Sequence, residues 1–442
     1  MSAFVHPDEI RSRFSAALSA MYRAEVPQYG DLLTLVADIN AQAIKADAAG
    51  AGRLAASGEL ARLSEERHGA IRVGTADELA TIARAFAVMG MAPVSYYNLA
   101  PAGVPVHSTA FRPVDPAALA RNPFRVFCSL LRLELIADEA LRAEAAETLT
   151  RRDIFTPGAR DLIATAEAEG GLDEDQADRF VSELLETFRW HAQATVSAET
   201  YERLVAAHRL IADVVSFKGP HINHLTPRTL DIDAAQAAMP ERGITPKETI
   251  EGPPARACPI LLRQTSFKAL EEAIAFPGAE GTTAGTHTAR FGEIEQRGCA
   301  LTPAGRALYD TALASKDFSA LPDDWDALRR GDLAWFRYRA TPQGLATRAE
   351  TADLDALIAL GHVVAEPITY EDFLPVSAAG IFQSNLGSEA RAAAYAVDPA
   401  KAEFEQALGR PVQDEMALYR AEQDASITAT LKALGLEQVA EI

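Results

Sequence analysis

From Pro7 onward the apolar residues Ile10, Phe14, Leu18, Met21 and Tyr22 recur at helical spacing, and Leu32, Leu35, Val36 and Ile39 repeat the pattern. Two amphipathic helices that pack on the core are predicted to open the chain. The Ala/Gly stretch 46–56 predicts weak helix or linker. Residues 65–75, EERHGAIRVGT, then predict a short strand followed by a helix start, where Thr75 and Glu78 have the form of a capping box. Leu79, Ile82, Ala83, Phe86 and Met89 mark the buried face of that helix, and Gly90 marks its end. Strand-like segments at 93–99, 104–114 and 124–135 complete a βαβββ order.

Residues 138–215 are rich in Ala, Glu, Leu and Arg and predict a helical insert whose acidic stretch, including Glu167, Glu169 and 173–178, is a solvated face. His191 and His208 fall in helical sequence and are expected to be packing or surface residues. After the stretch 216–233 the earlier order returns, with a helix expected at 231–239 and strands at 260–267 and 286–296. A faint internal echo supports the repeat. Met89-Gly90 and Pro93 stand at the same distances beyond His68 as Arg242-Gly243 and Pro246 stand beyond His221. Residues 276–285 predict a flexible loop, and without a GK[ST] ending it is not a phosphate-binding loop. Helices at 302–314 and 323–330, a strand at 335–339, a loop at 369–387 rich in small, amide and hydroxyl residues, and a helical tail at 401–436 follow. The expected division is N-terminal helices (1–60), a first βαβββ module (61–136), a helical insert (137–215), a second module (216–300), and a C-terminal part with helices, a strand and a substrate loop (301–442). The class is α+β.

A chain of 442 residues is too long for one ordinary core. Its 48% hydrophobic and 24% charged residues describe a globular protein. A net charge of −20 repels polyanions, which sets aside nucleic acid and anionic membranes as partners, so Lys or Arg beside a candidate site gains weight. Cys128, Cys258 and Cys299 form neither a CxxC pair nor a disulfide framework, as expected in a reducing cytoplasm. The N-terminal sequence lacks the regions of a secretory signal, and no apolar run approaches the roughly 18 residues of a membrane span. A cytoplasmic enzyme is expected.

The candidate chemistry lies in three segments. In SFKGPHINHLTPRTLDID, residues 216–233, His221 and His224 are bracketed by Gly-Pro and Thr-Pro. Imidazole is the commonest metal ligand. On an extended chain His221 and Asn223 point one way, and Ile222, His224 and Thr226 the other, so one of the two histidines enters a given pocket. In the first strand His68, Ala70 and Arg72 share a face, with the His and Arg stems about 13 Å apart. A metal site that also holds a substrate's far carboxylate would use such a pair. Glu293 and Glu295 share a strand face with Arg297; such pairs commonly mark a solvated edge, unless opposing strands bring histidines. Two imidazoles and one carboxylate on separate strands form the facial triad that leaves three adjacent positions open on Fe(II), whereas three-histidine and thiolate zinc sites do not match these residue types.

The segments EERHGAIRVGT, FKGPHINHLTPRTLDID, HTARFGEIEQRG and YEDFLPVSAAGIFQSNLG resemble those of the bacterial 2-oxoadipate dioxygenase/decarboxylase (D-2-hydroxyglutarate synthase) family of D-lysine catabolism, and the resemblance runs over nearly the whole chain. It implies a vicinal-oxygen-chelate-like fold, two βαβββ modules forming a curved mixed sheet around a metal site. It also implies ferrous iron, Fe(2+), held by His68, His224 and Glu293, with Arg72 on the substrate carboxylate and substrate contacts at Val376 and Ser377. The implied reaction takes 2-oxoadipate and O2 to D-2-hydroxyglutarate and CO2. His221 and Glu295 stand two or three residues from the implied ligands and remain alternatives on sequence alone. The rival expectations are a metal-dependent isomerase or lyase of the same fold acting on a 2-oxo acid, and a non-catalytic carboxylate-binding protein.

Overall fold

The computed structural model describes residues 4–56, 58–278, 281–347, 351–374 and 400–436. The opening apolar pattern forms the helices Pro7–Glu25 and Pro27–Ala46, each with proline in its first turn, where no intrahelical N–H bond is lost. Ile10, Phe14, Leu18 and Tyr22 of the first helix, and Leu32, Leu35 and Val36 of the second, are buried. The Ala/Gly stretch is helical over Ala48–Ala56.

The first module comprises β1 (Arg67–Val73), the helix Ala76–Val88, β2 (Ala92–Asn98), β3 (Val106–Arg112) and β4 (Arg125–Leu131). Its strands lie in the order β2-β3-β4-β1, antiparallel except for the parallel pair β4 and β1. Thr75 accepts the Glu78 backbone N–H, as the capping box requires. The other half of the box differs. The Glu78 carboxylate accepts the Gly74 N–H and takes both ends of the Arg152 guanidinium, because a buried carboxylate gains more from an arginine than from one amide.

The second module comprises β5 (Leu225–Pro227), the helix Ile232–Ala238, β6 (Leu262–Ser266), β7 (Glu271–Gly278), β8 (Gly281–Thr288) and β9 (Glu293–Arg297). β5 lies antiparallel against β1 and joins the modules. Just beyond β5, Arg228 bridges in parallel to Glu295 of β9, which pairs antiparallel with β6, and Pro246 and Glu251 bridge to Phe267 and Gln264 beyond it. The second module thus repeats the order of the first, with its opening strand beside its last. The α+β class and the two-module mixed sheet are as expected.

Two local expectations are corrected. The flexible loop expected at 276–285 is part of the antiparallel hairpin β7/β8, and the single strand expected at 286–296 is broken between β8 and β9. The break releases the hairpin from the main sheet, and its Ile274 and Phe276 pack instead on Ala194 and Phe217. Most of the remaining hairpin side chains are exposed, so the apolar alternation that announces a strand is missing.

Residues 138–215 are helical, as expected, with helices at Glu139–Thr150, Pro157–Glu169, Glu174–Leu185, Ala198–Ala207 and Arg209–Val215. Beyond the second module, β10 (Phe336–Ala340) and β11 (Val363–Pro367) form a two-stranded sheet packed with the helices Pro303–Ser315 and Glu415–Ala433 around a separate apolar cluster. β11 was not foreseen. Alternation across the first sheet divides the core: Ile71, Val73, Val126 and Cys128 meet the N-terminal helices, while Ala70, Phe127 and Leu131 face the helical insert. His68 and Arg72 belong to the second of these faces. Among the described residues no helix is long and apolar enough to cross a membrane.

Candidate metal centre

The start of β1, the segment entering β5 and the start of β9 meet, and each contributes one side chain. His68, His224 and Glu293 are all buried, with one ligand atom of each within 4.8 Å of the others. The approach of the His224 segment to β1 depends on Gly69, where a Cβ would stand 2.6 Å from Ile222 Cδ1 and 2.9 Å from the His224 carbonyl. Asn223 fastens the same segment, its N–H and its Nδ2 both donating to the Ala70 carbonyl. Tyr22, buried in the first helix, donates its hydroxyl to the carbonyls of Asn223 and Phe291 and so braces the segments on which His224 and Glu293 stand. That contribution from a helix expected only to pack is beyond any local pattern.

Glu293 Oε1 accepts from Gln264 Nε2 at 2.8 Å and Thr226 Oγ1 at 3.1 Å, and lies 3.1 Å from His68 Nε2 and 3.9 Å from His224 Nε2. Burial favours the neutral carboxyl, but His224 and His68 outweigh it and hold Glu293 below the usual carboxylate range. Burial pushes His224 down to about 4, which keeps it neutral. Neither of its ring nitrogens has a hydrogen-bond partner. An orphaned, neutral, buried imidazole beside an ionised carboxylate is the donor set a divalent cation needs. His68 differs: burial favours its neutral form, but Glu295 and Glu293 override that and raise it. Phe291 stacks near His224 at 4.8 Å between centroids, and Phe373 meets His68 edge-on at 5.0 Å, so aromatic faces exclude water from both imidazoles.

The alternatives left by the sequence separate by position. His221 turns away, its Nε2 3.4 Å from Asp213 Oδ1 and its ring against Trp190 at 4.7 Å, while His224 and Thr226 both reach Glu293, in line with the alternation of faces. Glu295 lies on the other side of His68, with Oε2 3.0 Å from Nδ1, and is gripped by Arg297 at 2.8 and 2.9 Å. Both carboxylates are buried, in contrast to the solvated edge that paired acids on a strand usually form.

Arg72 projects from the same face of β1 as His68. Its Nη1 lies 2.7 Å from Asp213 Oδ2 and 2.5 Å from Asn223 Oδ1. Asp213 also takes His287 Nε2 at 2.9 Å, and the Tyr201 hydroxyl stands 2.8 Å from His287 Nδ1. Burial favours the neutral Asp213 carboxyl, but His221 and Arg72 dominate and keep it charged. Sequence reasoning missed Asp213, which comes from the helical insert, and His287, which was noticed only as the start of a motif. Of the two histidines expected to be packing or surface residues, His191 is half-buried and His208 caps the helix Arg209–Val215. Val376 and Ser377 lie outside the described residues.

A family model for 2-oxoadipate dioxygenase/decarboxylase matches residues 14–385. The chain belongs to the 2-oxoadipate dioxygenase/decarboxylase family. A curated member of the family from Escherichia coli is 59% identical over 444 residues, covering 96% of this chain and 98% of the relative, and one from Pseudomonas putida is 57% identical, covering 98% of each. The crystal structure of the Pseudomonas putida hydroxyglutarate synthase in complex with 2-oxoadipate superposes with a TM-score of 0.90 at 54% identity, covering 99% of this chain and all of that one.

Proposed function

We propose that this family member converts 2-oxoadipate and O2 to D-2-hydroxyglutarate and CO2 at a ferrous ion held by His68, His224 and Glu293, with Arg72 pairing with the substrate's distal carboxylate. Val376 and Ser377 are proposed substrate contacts. The observation that carries this reading is the convergence of two imidazoles and a carboxylate, the His224 nitrogens unpartnered, in a chain so similar to a synthase solved with 2-oxoadipate. Bound there, Fe(II) would supply an oxygen-activating centre with adjacent positions for a chelating 2-oxo acid and for O2.

The residues around the site have separable tasks. Thr226 and Gln264 orient the Glu293 carboxylate by donating to Oε1. Burial favours the neutral His68 ring while Glu295 and Glu293 favour its protonated form, and a metal ligand must be unprotonated at the coordinating nitrogen. His224 is already neutral. Arg72, aimed by Asn223 and Asp213, can take a carboxylate with its planar fork, which selects both charge and chain length. Phe291 and Phe373 keep the reacting end dry. The atoms balance without a second 2-oxo acid: the first carboxyl carbon of 2-oxoadipate leaves as CO2, the ketone carbon becomes a carboxylate with one atom of O2, and its neighbour gains the other as a hydroxyl.

The test is an assay with Fe(II) and 2-oxoadipate run with and without O2, following CO2 and 2-hydroxyglutarate. Both products should appear only aerobically and with matching O2 uptake. Turnover that ignores O2 would place the chemistry with an isomerase or lyase. No metal binding and no turnover would leave a carboxylate-binding protein.

A further inference from the structure

Behind the candidate metal centre, on the far side of His68, lies a buried lattice of four arginines and four glutamates. Glu66 stands near Arg125, Arg228, Arg297 and Arg62 at 3.0, 3.2, 3.5 and 3.7 Å; Glu371 pairs with Arg62 and Arg125, and Glu59 with Arg228. The fourth carboxylate is Glu295. The charges cancel, which permits so many ions out of water, but burial of charge alone is weak ground for a stabilising role.

Arg297 links this lattice to the site. Its Nε and Nη2 donate to the two oxygens of Glu295 at 2.8 and 2.9 Å, and Nη1 donates to the carbonyls of Tyr370 and Asp372 at 2.6 and 3.0 Å. Its guanidinium carbon lies 5.6 Å from the centroid of Phe373, the ring that packs edge-on against His68. One side chain therefore fixes both the carboxylate at His68 Nδ1 and the aromatic wall beside the same imidazole. With a carboxylate oxygen 3.0 Å from Nδ1, Nε2 is left toward Glu293 and His224, and the ring's rotation is set from behind.

We infer that Arg297 is a positioning residue of the metal centre, acting through Glu295 and Phe373 to hold His68 with Nε2 presented to the metal. The inference rests on the reading above that His68 is a ligand. It assigns Arg297 no contact with substrate, so its effect belongs to metal binding and not to recognition of 2-oxoadipate.

The test uses the full chain, with Arg297→Gln, Arg297→Lys and Glu295→Gln, and with His68→Ala as reference. Fe(II) affinity is measured anaerobically against a chromogenic chelator, the Co(II) absorption spectrum reports the ligand field, and kcat and KM for 2-oxoadipate are measured at saturating Fe(II). Glu295→Gln and Arg297→Gln should weaken Fe(II) binding by about 10- to 100-fold and alter the Co(II) spectrum, with the KM for 2-oxoadipate unchanged. Arg297→Lys, which keeps the charge and loses the fork, should fall between them and the wild type. A folded Arg297→Gln with wild-type Fe(II) affinity and Co(II) spectrum overturns the inference. If that variant does not fold, Glu295→Gln, which preserves volume, decides by the same criterion. Wild-type metal binding that survives His68→Ala would instead refute the ligand assignment.

Discussion

Arg72→Lys separates the recognition of the substrate's far end from everything else in the site. In the structure one guanidinium nitrogen, Nη1, is held at 2.7 Å by Asp213 and at 2.5 Å by Asn223, whose own amide is tied to the Ala70 carbonyl. The group is therefore aimed before substrate arrives. A lysine keeps the charge, but its ammonium cannot both span these anchors and present a fork to a carboxylate. Loss of one charge-assisted hydrogen bond costs about 1.5–3 kcal/mol, which corresponds to roughly a 10- to 150-fold fall in kcat/KM for 2-oxoadipate, mostly through KM. The comparison substrate is 2-oxohexanoate, of the same chain length but ending in a methyl group. Its kcat/KM should change by no more than about threefold, within the usual scatter of a substitution that leaves contacts unaltered. Initial rates of O2 uptake at saturating Fe(II) give both values. Equal losses on the two substrates would show that Arg72 acts on the fold or the metal, and would remove it from substrate recognition.

Metal content distinguishes the histidines. His68→Ala, His224→Ala and Glu293→Ala should each purify without bound iron and without turnover, while His221→Ala, whose ring faces Asp213 and Trp190, should retain its metal; iron lost from His221→Ala and kept by His224→Ala would reverse the assignment. Acid should expose a second property of His221. Burial pushes it down to about 4, with Asp213 opposing and His287, Arg72 and Arg290 assisting, so the unfolded chain takes up a proton that the folded one refuses as pH falls below about 6.5. Its contribution to stability is complete above that pH and is lost progressively toward pH 4, on the order of 3 kcal/mol at most. Urea unfolding between pH 7.5 and 4.5 should show a shallower acid loss in His221→Gln than in the wild type; parallel curves would contradict the burial argument.

The parts of the molecule that obey a single period were legible in the sequence. Ile10, Phe14, Leu18 and Tyr22 read as one helix face and are one, and the βαβββ order was visible because strands with apolar faces alternate with the well-capped helix beginning after Thr75. The hairpin β7/β8 was not, since most of its side chains outside Ile274, Phe276 and His287 are solvent-facing and carry no alternation. In the site, the expected alternation of faces is observed, with His221 toward Asp213 and His224 toward Glu293, whereas the internal echo aligned His221 with His68. What stayed hidden depends on partners remote in sequence. Asp213 meets Arg72 across 141 residues, Tyr22 reaches Phe291 across 269, and Arg297 reaches the Asp372 carbonyl across 75. No local spacing encodes such pairs. Glu295 was read beside Glu293 because both share a strand face, but only its place near Nδ1 of His68 sets it apart from Glu293, which lies toward Nε2.

The most direct measurement is mass spectrometry of the products formed by the Fe(II)-loaded protein from 2-oxoadipate under oxygen-18 gas. The account predicts 2-hydroxyglutarate carrying two labelled oxygens, one in the new carboxylate and one in the hydroxyl, with unlabelled CO2. Unlabelled hydroxy acid, or product formed equally well without O2, would contradict it.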